Sequence, residues 1–298
     1  MNQSTSSIVC IGEILWDALP GGLFLGGAPL NVCYHLNRLG VEAEIASRVG
    51  DDRLGREAIR RMHAGKMKTE LVQDTSKLET GFVEVELDEE GDAAYTILHP
   101  VAWDQIERLP EIAERVQDSW GLVYGSLAQR SEESRSTIQS LFGLPAKKIF
   151  DMNLRPPFDD RAIVDRSLEA ADIVKMNHEE LATLINWHGW PDKPSRACRE
   201  LAGQFGCEVV CITRAASGAG IWRNGEWQEH PGFEVEVADT VGAGDAFLAG
   251  LISGMMKGWD SNRLLEFANA AGAFIASLPG AMPDYGEHAI AGRFGLEL

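Results

Sequence analysis

Residues 239–245 read Asp-Thr-Val-Gly-Ala-Gly-Asp and run directly into Ala-Phe-Leu-Ala-Gly, the start of an apolar stretch of helical character. Small residues at a helix start leave backbone N–H groups open. With the positive end of the helix dipole, those groups form a seat for an anion. A phosphate in that seat would repel Asp245. The chemistry that uses a carboxylate there is removal of a proton from a hydroxyl attacking phosphorus. An aspartate at a helix N-terminus is expected to stay ionised, because the dipole favours its charged form. A glycine-rich helix start also fits a plain turn, so the rest of the chain has to discriminate.

Other polar residues fall just after apolar runs, the place where open parallel sheets bind ligands. Glu13 and Asp17 follow the first run, and Gly26-Gly27 then leads into a helix that carries Asn31. Asp17 and Asn31 could hydrogen-bond the hydroxyls of a polyol; a loop and a polar helix residue describe the same positions. Asp151, Asn153 and Arg155 alternate, which on an extended segment points them to one side, and Pro156-Pro157 stiffens the chain beyond them. Arg155 is either a fixed cation for hydroxyl or phosphoryl groups or a solvated loop residue. Asn177 and Glu180 share a face at a helix start, where alone they read as an N-cap and its capping-box partner. The small-residue loop Thr213-Arg214-Ala215-Ala216-Ser217-Gly218 comes after another apolar run and suits a nucleotide contact.

The elements that must position these residues alternate along the chain. Short apolar runs near 8–12, 44–49, 122–125, 148–151, 173–176 and 209–213 predict strands. Helical spacing is found over 28–39, 53–62, 132–142, 161–171, 178–187, 196–205, 243–257 and 262–277, the last two closing the chain. Two alternating runs around the acidic turn 88–92 predict a β-hairpin within 80–98, and Asn224-Gly225 marks a second. The pattern implies an α/β fold with a mainly parallel central sheet covered on both faces. One domain over 1–298 is expected, with a small β lid inserted at about 80–100 and a contribution from about 13–26.

A formal net charge of −18 sets the field against nucleic acid and anionic membrane as partners. An anionic substrate would then need a local cationic or N–H-rich site, or a metal ion. Cys10, Cys33, Cys198, Cys207 and Cys211 are odd in number and lack metal-ligand spacing, which fits buried free thiols in a reducing cytoplasm. The first seven residues are polar without an apolar signal core, and no apolar run approaches the roughly 18 residues of a bilayer span.

Three motifs in order, each at a strand end, resemble the ribokinase-like (PfkB) sugar kinases along nearly the whole chain. They are Gly26-Gly27-Ala28-Pro29-Leu30-Asn31, Asn177-His178-Glu179-Glu180 and the segment 239–245. The resemblance implies a three-layer α/β/α sandwich with a β lid that transfers the terminal phosphoryl of ATP to a sugar hydroxyl with Mg²⁺. It implies Asp245 as catalytic base, with the amides of Gly242, Ala243 and Gly244 as anion hole. Asp17, Gly26, Gly27, Asn31, Asn153 and Arg155 would contact the sugar, and Glu180 would place hydrated Mg²⁺. Asn177, Thr213, Ala215, Gly218 and Asn269 would lie along the nucleotide. Asp239 with the carbonyls of Val241, Ile275 and Gly280 would hold a monovalent cation, K⁺. Ala215 departs from the family's Thr-x-Gly-x-x-Gly loop by replacing its first glycine, which bears on nucleotide affinity. Pairing of exposed lid edges into a homodimer is also implied.

Within the family, Gly27-Ala28-Pro29-Leu30-Asn31 and Asn153-Leu154-Arg155-Pro156-Pro157-Phe158 are most similar to the bacterial fructokinases. That similarity implies phosphorylation of D-fructose to fructose 6-phosphate, and a neutral acceptor suits a chain of charge −18. A 2-keto-3-deoxygluconate kinase, a ribokinase, a nucleoside kinase and a non-catalytic sugar-binding protein are the alternatives.

Overall fold

The computed structural model describes residues 7–19, 21–87 and 93–297. Its strands are β1 (Ser7–Ile11), β2 (Leu15–Leu19), β3 (Gly22–Gly26), β4 (Glu42–Gly50), β5 (Val72–Thr75), β6 (Gly81–Leu87) and β7 (Ala93–Ile97). They continue with β8 (Gly121–Gly125), β9 (Lys147–Asp151), β10 (Ile173–Asn177), β11 (Val209–Thr213), β12 (Ala219–Arg223) and β13 (Glu226–His230). The helices are α1 (Ala28–Arg38), α2 (Arg53–Ala64), α3 (Pro110–Gln117), α4 (Glu132–Ser140) and α5 (Arg161–Ala170). After them come α6 (His178–His188), α7 (Pro194–Phe205), α8 (Ala243–Met256), α9 (Ser261–Ala276) and α10 (Glu287–Phe294).

Nine strands form the central sheet in the order β13-β12-β11-β10-β9-β8-β1-β4-β5. Pairing is parallel from β11 through β5, and β12 and β13 join antiparallel at one edge. The parallel strands are apolar on both faces because helices cover both. Successive side chains alternate between two cores: Ile8 and Cys10 enter one, Val9 and Ile11 the other. The first core is shared with α1, α8 and α9, the second with α3 to α7. This is the expected three-layer sandwich.

The same alternation sets the chemistry. On β10, Ile173 packs in the first core while Val174 and Met176 pack in the second. Lys175 therefore projects toward the α8 side. On β9, Ile149 and Phe150 divide in the same way, so Asp151 projects to the α8 side beside Lys175. All five cysteines are buried and free.

A separate four-stranded sheet has the order β3-β2-β6-β7, with β2 and β6 parallel and the outer pairs antiparallel. The hairpin expected near 80–98 is β6–β7; its acidic turn at 88–92 lies outside the described residues, as does most of the polar N-terminus. The buried pair Arg130–Asp104, at 2.8 Å, anchors this sheet's exit. Arg130 donates to the Leu98 carbonyl at 2.6 Å and stacks on Trp103 and Phe158, 4.0 and 4.6 Å from the ring centres.

Several elements escaped the periodicity. The sequence marks β2 and β3 only as a lid contribution from about 13–26 and not as separate strands, β5 has four residues, and α3 and α10 have eight each, too few turns to show a period. The chain thus ends on three helices, not two. Among the described residues, no helix is long and apolar enough to cross a membrane.

Candidate active site

Helix α8 begins at Gly242, whose φ of 80° lies in the left-handed region. A Cβ built there would lie 2.9 Å from atoms of Ala281, so glycine satisfies both the backbone and the close approach of the loop after α9. No side chain caps this helix start. The amide of Ala243 is spent on the Thr240 carbonyl at 3.3 Å, which corrects the expectation that it is open to an anion. Among the described residues, the amides of Gly242, Gly244 and Asp245 have no protein acceptor.

Asp245 stands on the first turn of α8, and its Oδ2 accepts a 2.8 Å hydrogen bond from Asn31 Nδ2 of α1. Helix α1 starts at Gly27 (φ 116°), where a Cβ would collide with the Glu13 carbonyl. That close approach brings Glu13, Gly26, Gly27 and Asn31 around Asp245. Asp17, on β2, lies over Gly26: a Cβ there would sit 2.9 Å from Asp17 Oδ2.

Loss of water dominates the electrostatics. Burial pushes the Asp245 carboxyl up to about 6, and Asp151 adds to the rise. Lys175, the Asn31 hydrogen bond and Arg155 offset only part of it. Asp245 therefore still stays ionised at neutral pH, as its helix position implies, but less firmly than the dipole alone would make it, because removal from water raises its carboxyl. Glu13, 2% exposed, is pushed up to about 7 by burial, with backbone hydrogen bonding and Arg155 opposing and Asp245 reinforcing. Burial raises Asp17 as well, against Arg155. Arg155 is exposed and donates to the Leu154 carbonyl at 2.9 Å; its charge acts on Glu13, Asp17 and Asp245 together. Asn153 has φ 41°, so the segment 151–155 is not extended throughout and the expected alternation is interrupted there.

Two buried residues that the motifs did not single out complete the centre. Lys175 Nζ donates to Asp151 Oδ1 at 3.0 Å. The ammonium lies 3.3 Å from a Cβ built on Gly244. Burial works against its charge, but Asp151, Glu180 and Asp245 outweigh that and raise its pKa. Among the described residues, Glu13 Oε2, Asn31 Oδ1 and Asp151 Oδ2 are buried and find no hydrogen-bond partner. The signal for Lys175 was a lone cation inside the apolar run Ile-Val-Lys-Met.

Asn177 and Glu180 do form a capping box. Asn177 Oδ1 accepts from the amides of Glu179 and Glu180, and Glu180 Oε2 accepts from the Asn177 amide at 2.8 Å. Glu180 Oε1 also accepts from the Leu154 amide at 2.8 Å, which ties α6 to the loop carrying Arg155. Burial raises the Glu180 carboxyl, with Lys175 opposing. Thr213 pairs in register with both Asn177 and Ala219, so these strand ends are neighbours. Ala215 and Gly218 both have positive φ, 48° and 77°. Asn269 donates to the Leu265 carbonyl of its own helix at 2.7 Å. Asp239 accepts from the amides of Val241 and Gly280, at 3.0 and 3.2 Å, while the Ile275 carbonyl accepts from the Leu278 amide at 2.9 Å. A cavity of about 660 Å³ between β3, α1, the end of α2 and residues 279–284 adjoins this region. Its lining includes Tyr34 and Ala281 but not Asp17, Asn31 or Asp245.

The sequence pattern of the pfkB family carbohydrate kinases matches residues 21–286. A fructokinase of Klebsiella pneumoniae is 31% identical, covering 91% of this chain and 94% of that protein. A sugar kinase from Pyrococcus horikoshii, solved in complex with ATP, is 27% identical with a TM-score of 0.81, over 96% of this chain and 97% of that one. The fold is also that of a Xylella fastidiosa fructokinase with bound ATP, at 22% identity and a TM-score of 0.84 over 98% of this chain and 99% of the other.

Proposed function

This chain belongs to the pfkB family of carbohydrate kinases, and from that premise we propose that it transfers the γ-phosphoryl group of ATP to D-fructose, giving fructose 6-phosphate. The observation that carries the reading is Asp245, held by Asn31 at the uncapped start of α8. The fructokinase relative at 31% identity supports fructose as acceptor.

In this reading the acceptor hydroxyl lies against Asp245 while Asp17, Gly26, Gly27, Asn31, Asn153 and Arg155 orient the sugar. The open amides of Gly242 and Gly244 face the phosphoryl group where its charge develops. Ala243 shapes the turn without contributing its N–H. The hydroxyl proton passes to Asp245, whose raised pKa makes it a better base than an ordinary aspartate at neutral pH. Asn177, Thr213, Ala215, Gly218 and Asn269 line the nucleotide. The donor set also fits the ions of this chemistry. Glu180 is a buried carboxylate at the start of α6 and would hold the water shell of Mg²⁺. Mg²⁺ supplies neutralisation of the phosphate oxygens. Asp239 and the carbonyls of Val241, Ile275 and Gly280 would hold K⁺ beside the seat.

The four-stranded sheet acts as the lid that excludes water. Leu23 and Phe24, 43% and 39% exposed on its edge strand β3, support pairing of two copies there. We place the protein in the cytoplasm, a reducing compartment that suits its five buried free cysteines.

An ADP-release assay over fructose, ribose, 2-keto-3-deoxygluconate and adenosine, with and without K⁺, tests the acceptor. Fructose is expected to give the highest kcat/KM; a preference for another acceptor replaces it. Asp245→Asn is expected to lower kcat by about 10³-fold or more while ATP affinity stays within about threefold. Near-normal turnover in that variant would remove the base assignment.

A further inference from the structure

We propose that Lys175 is a catalytic residue of this kinase, its ammonium hydrogen-bonding the phosphoryl group in transit at the start of α8. The inference rests on the kinase reading above and adds a group that the three motifs leave out.

Its place in the fold has no structural explanation in apolar packing. The strand's other core residues are Ile173, Val174 and Met176, and Lys175 is only 7% exposed. Strand alternation turns it toward α8, where Nζ lies 3.3 Å from the Cβ position of Gly244. Any side chain at 244 would crowd the ammonium, so the second glycine of the Gly-Ala-Gly turn serves this approach as well as the turn itself. An ammonium carries three donors, and one is used, on Asp151 Oδ1 at 3.0 Å. The remaining two are available next to the unpartnered Gly244 amide. The charge acts on Asp245 and Glu180 as well as Asp151, so it sits among the carboxylates that surround the transfer.

In the step itself, the bond from the acceptor oxygen to phosphorus forms as the bond from phosphorus to the ADP oxygen breaks. The hydroxyl proton goes to Asp245. Lys175 keeps its protons and donates a hydrogen bond to a non-bridging phosphoryl oxygen, beside the Gly244 amide. Asp151 holds the ammonium in place and is a positioning residue.

The competing account is that Lys175 only neutralises Asp151. The double variant K175M/D151N separates the two, because it removes both members of the pair and leaves neither of those two charges buried alone. It is expected to melt within a few degrees of the wild type yet turn over about 10²-fold more slowly or worse, with whichever acceptor the wild type uses. Calorimetric titration with Mg²⁺, ADP and aluminium fluoride, without any acceptor, provides a second readout. The wild type is expected to bind ADP more tightly with the fluoride present, and the double variant to lose about tenfold of that gain while binding ADP alone within about threefold of the wild type. Turnover restored to within about threefold of wild type, or a fluoride effect equal in both proteins, overturns the proposal. If the wild type phosphorylates no sugar, the acceptor assignment fails while the fluoride comparison still decides the role of Lys175.

Discussion

The hydrogen bond from Asn31 to Asp245 should be visible as the position of a break in the pH–rate profile. Asp245 must be ionised to accept a proton, and in the free protein its carboxyl stands at about 6. The kcat/KM for the acceptor reports the free enzyme. It should therefore be level at higher pH and fall tenfold for each pH unit below about 6. Asn31 Nδ2 donates to Oδ2 at 2.8 Å and favours the charged form over the neutral one. A hydrogen bond to a charged group is worth about 1.5–3 kcal/mol, and each pH unit corresponds to about 1.4 kcal/mol. Removing the bond in Asn31→Leu should move the break upward by about one to two pH units. Asn31 also faces the acceptor, so the variant's plateau will be lower. The position of the break is independent of that plateau. The assay is coupled ADP release from pH 5 to 9, with the coupling enzymes in excess throughout. A wild-type profile without an acid limb, or a break that stays in place in Asn31→Leu, refutes the placement of Asp245 as a base tuned by burial and Asn31.

The same geometry makes three further outcomes testable. Glu13 stands at about 7 when folded against an ordinary 4.5, so its protonated form favours folding; that contribution is full below pH 4.5 and lost as pH rises through 7. Glu13→Gln, neutral at every pH, should therefore raise thermal stability at pH 8 by up to about 3 kcal/mol and by less than about 1 kcal/mol at pH 5; an equal gain at both would contradict the shift. Ala215 holds φ 48°, a left-handed conformation costing an alanine about 1–2 kcal/mol. Ala215→Gly should accordingly leave stability unchanged or raise it by up to about 1 kcal/mol in urea unfolding, where a loss of that size would show that the position is unstrained. Gly242→Ala meets both a φ of 80° and Ala281 at 2.9 Å, and should lower kcat by about 10²-fold as the seat's amides tilt; turnover like the wild type would exclude that coupling.

The layered architecture was legible because burial on both faces leaves continuous apolar runs in the parallel strands and helical spacing in the covering helices. The reaction class was legible for a similar reason. A helix start that must admit an anion needs glycines at close spacing, and Gly242 and Gly244 are local features of the chain. The capping box of Asn177 and Glu180 is local too, and the structure forms it. Tertiary structure alone decided the electrostatics. Asn31 and Asp245 are 214 residues apart, and Lys175 meets Asp151 only because β9 and β10 are neighbours in register. From its helix position Asp245 reads as ionised, since the dipole is a local effect. Its pKa is raised because desolvation depends on everything packed around it, and that packing is not written in any one segment. The Gly-Ala-Gly-Asp turn is thus a property of the sequence, whereas the ionisation of its aspartate and the lysine beneath its second glycine are properties of the fold.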